Sequence, residues 1–163
     1  MALAAPRRLF LLAFAGCLGM LGGALYLEHV VGLEPCPMCI VQRICVVLFA
    51  LVCLIAALHG PVRLGRALYG VLALLFAALG ALTAGRQVWL QSVPPEQLSA
   101  CMPSLEFMLD ALPLQDIVRL IFHGTAACAE VNWTLFGMSL PEWSLLAFVG
   151  MILLSLFQIL RRS

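Results

Sequence analysis

The chain contains no lysine, and only 10% of its 163 residues are charged. Nine arginines against eight acids leave a net charge of +1. Without a basic run to neutralise phosphates, the sequence offers no footprint for nucleic acid. Low-complexity tracts and internal repeats are also missing, so neither a solenoid nor a disordered tail is expected. Too little polar surface is present to clothe a water-soluble domain of this size. What is abundant is apolar: 64% of residues, with a mean hydropathy of +1.09. Lipid is the expected solvent for most of the chain.

Four stretches approach the ~20 apolar residues that a helix needs to cross ~30 Å of hydrocarbon. They cover residues 9–31, 40–58, 67–84 and 143–160. The expected fold is an all-α integral membrane protein, a four-transmembrane-helix bundle forming a single membrane domain over 1–163. Arg7 and Arg8 precede the first span, Arg63 and Arg66 lie between the second and third, and Arg161 and Arg162 follow the fourth. Under the positive-inside rule both termini face the cytoplasm, and the loops 32–39 and 85–142 face outward. Arg7-Arg8-Leu9-Phe10-Leu11 resembles a twin-arginine signal, and Phe14-Ala15-Gly16-Cys17 a lipoprotein box. The apolar run continues well past Cys17, however, so an uncleaved span is the expectation. Gly16, Gly19, Gly22 and Gly23 on that span are expected to let helices approach closely.

Two cysteine pairs fall on the outward side, where disulfides persist. Cys36-Pro37-Met38-Cys39 opens the second span. Proline suits the first turn of a helix, which makes Cys36 an N-cap candidate whose sulfur, like that of Cys39, lies near unpaired amide dipoles that favour thiolate. Cys101 and Cys128 lie in the long second loop. That loop also carries Leu114, Ile117, Val118, Ile121 and Phe122 at near-helical spacing, the pattern of a short helix in the membrane interface. Trp89, Trp133 and Trp143 are candidate interfacial anchors.

A lone Cys-x-x-Cys serves redox, zinc and haem sites alike. Ile40 rather than histidine follows Cys39, which removes c-type haem attachment. The wide separation of Cys101 from Cys128 argues against a four-ligand zinc site, and no metal is expected. A plain structural bridge between Cys101 and Cys128 would stabilise a small ectodomain by about 3–4 kcal/mol. The second pair at a helix mouth shifts the balance towards exchange between pairs through mixed disulfides. Arg43 lies one turn below Cys39 on the same helix face. A cation within a span calls for a partner. Two readings stand: an arginine snorkelling to head groups, or a donor to the carbonyl of a quinone, the two-electron acceptor that dissolves in the bilayer. Cys17, Cys45 and Cys53 read as small buried hydrophobes.

Cys36-Pro37-Met38-Cys39-Ile40-Val41-Gln42-Arg43, then Cys101, then Cys128-Ala129-Glu130-Val131-Asn132-Trp133, in a four-span chain, resembles the bacterial disulfide bond formation protein B (DsbB) family over essentially its whole length. The resemblance implies a protein-disulfide:quinone oxidoreductase of the bacterial inner membrane, with a DsbA-type periplasmic thiol oxidase as partner and ubiquinone or menaquinone as cofactor. It implies catalytic roles for Cys36, Cys39, Cys101 and Cys128. The partner's mixed disulfide would form at Cys101 and release Cys128, Cys128 would engage Cys36, and Cys39 would remain as the thiolate facing quinone. Arg43 matches the family's quinone-contacting arginine. The resemblance departs at Gln87, where many relatives carry histidine. If that histidine assists quinone or proton transfer, another group must serve here, and His29 is weighed for it against an idle interfacial histidine. Competing expectations are a non-enzymatic membrane subunit with structural disulfides, a paralogue with a dedicated partner, and a quinone-coupled enzyme of the vitamin K epoxide reductase type. For the last of these the chain lacks an extra span.

Overall fold

In a computed structural model, the structure describes residues 6–33, 35–94, 113, 115–116, 126–129 and 133–160. The elements are α1 (Pro6–His29), α2 (Pro37–His59), α3 (Arg63–Leu90), α4 (Ala126–Ala129), β1 (Thr134–Leu135), β2 (Met138–Ser139) and α5 (Leu140–Leu160). Four of these, α1, α2, α3 and α5, are long and apolar enough to cross a membrane. Many of their large side chains, such as Leu12, Leu18, Ile55, Leu68 and Leu153, are more than half exposed, the arrangement expected where lipid replaces water. The protein is thus a multi-pass membrane helix bundle, as its hydropathy predicts.

α2 is the most deeply buried of the four spanning helices. It begins at Cys36, whose backbone is extended and whose sulfur accepts from the Cys39 N–H at 3.4 Å, with Pro37 in the first turn. It ends at Gly60, which adopts the left-handed conformation (φ 61°) and returns its N–H to Ala56 O at 3.0 Å. Between these caps, Gln42, Val46, Phe49, Cys53 and Ala57 recur every three or four residues on a buried face. Cys17, Cys45 and Cys53 are all buried in the apolar core, in keeping with their reading as small hydrophobes.

Packing proceeds in sequence, α1 on α2, α2 on α3, and α3 most extensively on α5. The close approach lies between α3 and α5. A Cβ at Gly80 would meet the ring of Phe148, and one at Gly70 would lie 2.7 Å from Ile159. This corrects the expectation for α1: no atom lies within 4 Å of a Cβ built on Gly16, Gly19, Gly22 or Gly23. The reason is that α1 is held mainly by α2, leaving a slot between α1 and α5. At the opposite end from Cys36, Arg66 is buried and donates through Nε to Gln158 O at 3.3 Å. That carbonyl lies in the last turn of α5, where a cation complements the helix dipole.

Two boundaries differ from the hydropathy reading in ways that matter. α3 does not stop at 84 but continues to Leu90, so Arg86, Gln87 and Trp89 are helical rather than in the loop 85–142. α5 starts at Leu140 after a tight hairpin that pairs Thr134 with Ser139 and Leu135 with Met138. Phe136 (φ 53°) and Gly137 (φ 79°) form its tip, as a two-residue turn with positive φ at both positions requires. Glu142 accepts from the Ser139 N–H at 2.6 Å, one half of a capping box, while the Ser139 hydroxyl donates to Gln91 Oε1 at 3.1 Å and ties the hairpin to α3. Trp143 Nε1 donates to Leu135 O at 3.1 Å, and the Arg86 guanidinium lies 4.2 Å from the centre of the Trp89 ring. Of the interfacial helix expected from Leu114 to Phe122, only Gln115 and Asp116 are among the described residues, and both are helical.

Candidate active site

Capping geometry fixes the first two sulfurs. Because Cys36 stands just outside α2 and Cys39 one turn inside it, their Sγ atoms come within 2.9 Å of each other. α4 rests against α3 and brings a third sulfur, that of Cys128, into hydrogen-bond contact with Cys36. Cys128 is 2% exposed. Cys36, Cys39 and Cys128 are unbonded to one another. Cys101 lies outside the described residues.

The two members of the Cys-x-x-Cys have different neighbours. Cys36 is buried against Cys128. Cys39 instead lines a cleft of about 740 Å³, counting its open mouth, between α1, α2 and α5. The walls are mostly apolar, among them Leu21, Leu27, Val46, Pro141 and Phe148. The charged and most of the polar lining groups are Glu28, Cys39, Gln42, Arg43 and Gln87, and α5 adds only the hydroxyl of Ser144. Below it a second cleft, lined by Cys17, Phe49, Met151 and other apolar residues, continues between α1 and α5 and shares Met20 with the first.

Arg43 does not reach out to the head groups. Its Nη1 donates to the Glu28 carboxylate on the last turn of α1, and Nη2 donates to Ala24 O at 3.3 Å. The partner that a cation at this depth requires is therefore Glu28. Five N–H donors on a guanidinium leave some for a further acceptor.

Gln87 and Gln42 complete the polar wall. Gln42 Nε2 donates to Gln87 Oε1 at 2.8 Å, and Gln87 Nε2 lies 3.4 Å from both Cys36 Sγ and Cys39 Sγ. Both side chains are buried, at 6% and 4% exposure. The sequence reading noted Gln87 only as a departure from the family pattern and gave Gln42 no role, although Gln42 sits inside the Cys-x-x-Cys-x-x-x-Arg run. His29 is not brought to the site: it is exposed and bonds Leu25 O of its own helix at 3.1 Å. His59 pairs with Tyr69.

Hydrogen bonding to Cys128 and to Cys39, then burial, hold the Cys36 thiol well above its ordinary pKa. Cys36 therefore stays protonated at neutral pH. Chemically, the arrangement offers a dithiol with one exchangeable neighbour on its loop side and an apolar cleft with a fixed cation on its lipid side.

Comparisons with known proteins agree with this architecture. The family model described as disulfide bond formation protein DsbB matches residues 6–158. The chain is 62% identical over 163 residues to the disulfide bond formation protein B of Stutzerimonas stutzeri, with both chains covered in full. It is 60% identical, again over the full length of both, to disulfide bond formation protein B 1 of Pseudomonas aeruginosa. Identity to the Saccharophagus degradans protein of that name is 47% over 157 residues, 96% of this chain and 95% of the relative. With a helical membrane bundle, a capped dithiol and a family match along nearly the entire chain, this protein belongs to the disulfide bond formation protein B family.

Proposed function

We propose that the protein is an inner-membrane thiol:quinone oxidoreductase that reoxidises a DsbA-type periplasmic thiol oxidase, with both termini in the cytoplasm. One observation carries the reading: Cys36 contacts Cys128 while its neighbour Cys39 opens onto the cleft that holds Arg43. A relay needs this two-sidedness, because electrons must enter from one face of the dithiol and leave by the other. The arginines at the far ends of the helices support the orientation.

The first exchange is a thiolate of the reduced partner attacking the Cys101–Cys128 disulfide at Cys101. A mixed disulfide forms and Cys128 leaves as thiolate. The partner's second thiol resolves that mixed disulfide, departing oxidised. Cys128 attacks Cys36 within the Cys36–Cys39 disulfide, and Cys39 is released as a thiolate into the cleft. Closure of Cys101 on Cys128 then frees Cys36, leaving a reduced Cys36–Cys39 pair.

The residues of the cleft fit a quinone. Apolar walls suit its ring, the adjoining cleft suits an isoprenoid tail, and the spare Arg43 donors suit a carbonyl oxygen. Bound there, the quinone supplies a sink for two electrons and two protons, so that dithiol plus quinone gives disulfide plus quinol. Arg43 would hold the ring by one oxygen, Glu28 would hold Arg43, and Phe148 with Leu27 would exclude water. The test is to mix purified protein with reduced thiol oxidase and follow quinone absorbance. Wild type should turn over and Cys39→Ser should not; equal rates for both would reject the assignment.

A further inference from the structure

The family's histidine is absent at Gln87, and His29 does not stand in for it. What occupies the place is an amide whose direction is set by a second amide. Gln42 Nε2 donates to Gln87 Oε1 at 2.8 Å, which uses the Gln87 oxygen and turns its NH2 group towards the sulfurs, 3.4 Å from each. The Cys39 thiol reaches the same oxygen only at 3.8 Å. Gln42 lies on α2 and Gln87 on α3, so the pair also spans two packed helices beside the dithiol.

We propose that Gln42 and Gln87 form an oriented amide pair, in which Gln42 locks Gln87 so that its N–H groups, not its carbonyl oxygen, face Cys39 and steady the thiolate formed there. Gln87 acts as a direct donor to a reacting sulfur, and Gln42 is a positioning residue. The inference rests on the reading that Cys39 is the sulfur facing quinone, and goes beyond it by naming the groups that stabilise its charge. An amide cannot titrate. A histidine at the same place would carry a charge that changes near pH ~6.5, whereas Gln87 gives Cys39 the same donor at every physiological pH. The titratable and charged groups around Cys39 are Cys36, Cys128 on α4, Arg43 one turn along α2 and Glu28 on α1. Among the residues lining the cleft, α3 and α5 contribute no charged group.

The experiment needs neither quinone nor partner. Fully reduced protein is alkylated with iodoacetamide at a series of pH values, and modification of Cys39 is counted by peptide mass spectrometry. Gln87→Met and Gln42→Met keep side-chain volume while removing the amide. Each should raise the pH midpoint of Cys39 alkylation by about one unit, the worth of a hydrogen bond to a charged group. The double variant should shift no further than Gln87→Met alone, because Gln42 acts through Gln87. Gln87→His should add an inflection near pH ~6.5 that the native protein lacks. An unchanged midpoint in either methionine variant, or shifts that add in the double variant, would overturn the proposal. If a methionine variant does not accumulate in membranes, Gln87→His decides alone, a single smooth profile counting against it. Loss of quinone turnover in wild type, with these shifts intact, would overturn the oxidoreductase reading and leave the amide pair standing.

Discussion

Arg43 on α2 donates to the carboxylate of Glu28 on α1, and its second nitrogen reaches the Ala24 carbonyl one turn away on the same helix. This clamp joins the two helices beside the dithiol and fixes a guanidinium at the edge of an apolar cleft. A planar fork can satisfy a carboxylate and a carbonyl together, whereas a lysine ammonium is a point charge on a flexible stem. Arg43→Lys and Arg43→Ala should therefore each raise the quinone KM about tenfold or more, the loss of one charge-assisted hydrogen bond. Glu28→Gln retains an acceptor for Arg43 and should keep KM within about threefold. Michaelis profiles against quinone concentration distinguish the cases. Unchanged KM in both Arg43 variants would make the clamp purely structural.

Contact between Cys36 and Cys128 makes a directed disulfide accessible without rearrangement of the bundle. In a Cys39→Ala, Cys101→Ala variant, mild oxidation should yield a Cys36–Cys128 bond in most molecules, read as a linked peptide by mass spectrometry. Cys45 and Cys53 lie in the apolar core and should remain unlinked. A random mixture of bridges would show that α4 does not hold Cys128 at the dithiol.

The raised pKa of Cys36 has a signed consequence. A thiol held above its ordinary value carries less thiolate at a given pH, and thiolate is the alkylated species. At pH 7.5 Cys36 should react with iodoacetamide at least about tenfold more slowly than an unperturbed cysteine, whose pKa is near 8.5. Cys128→Ala removes the largest cause of the upward shift and should accelerate the reaction. A rate for Cys36 that ignores Cys128→Ala would contradict the contact.

Much of this was legible because membrane solvation leaves a coarse signal. Four apolar runs and the Cys36-Pro37 start of α2 follow from hydropathy and from proline's missing N–H. The end of α3 was not, because Gly85-Arg86-Gln87 lowers hydropathy just where the helix continues to Leu90. Gln87 is polar because it faces sulfur, not water. Glu28 could not be paired with Arg43 from sequence, since the register between α1 and α2 depends on how the intervening turn closes. Ser139-Leu140-Pro141-Glu142 did carry a readable helix start, the spacing of a capping box, and would have set α5 at Leu140. The Phe136-Gly137 turn lacks the Asn-Gly or Asp-Gly pair that announces a hairpin.

Gly80 offers a test of the packing that forms one wall of the cleft. A Cβ there would overlap the Phe148 ring, and Phe148 is 1% exposed, so the ring has little room to withdraw. In isolation, Gly→Ala in a helix interior gains up to about 1 kcal/mol in propensity. Overpacking at a tight contact costs about 1–3 kcal/mol and should outweigh that gain. Gly80→Val, bulkier and β-branched, should lower the unfolding temperature in detergent further than Gly80→Ala. Because Phe148 also lines the cleft, displacing it should weaken quinone binding in step with stability. Phe148→Leu, introduced together with Gly80→Ala, should recover part of the lost stability by opening the contact. Gly80→Ala alone as stable as wild type would mean that α5 slides aside, and that the approach of α3 to α5 is not what sets the width of the cleft.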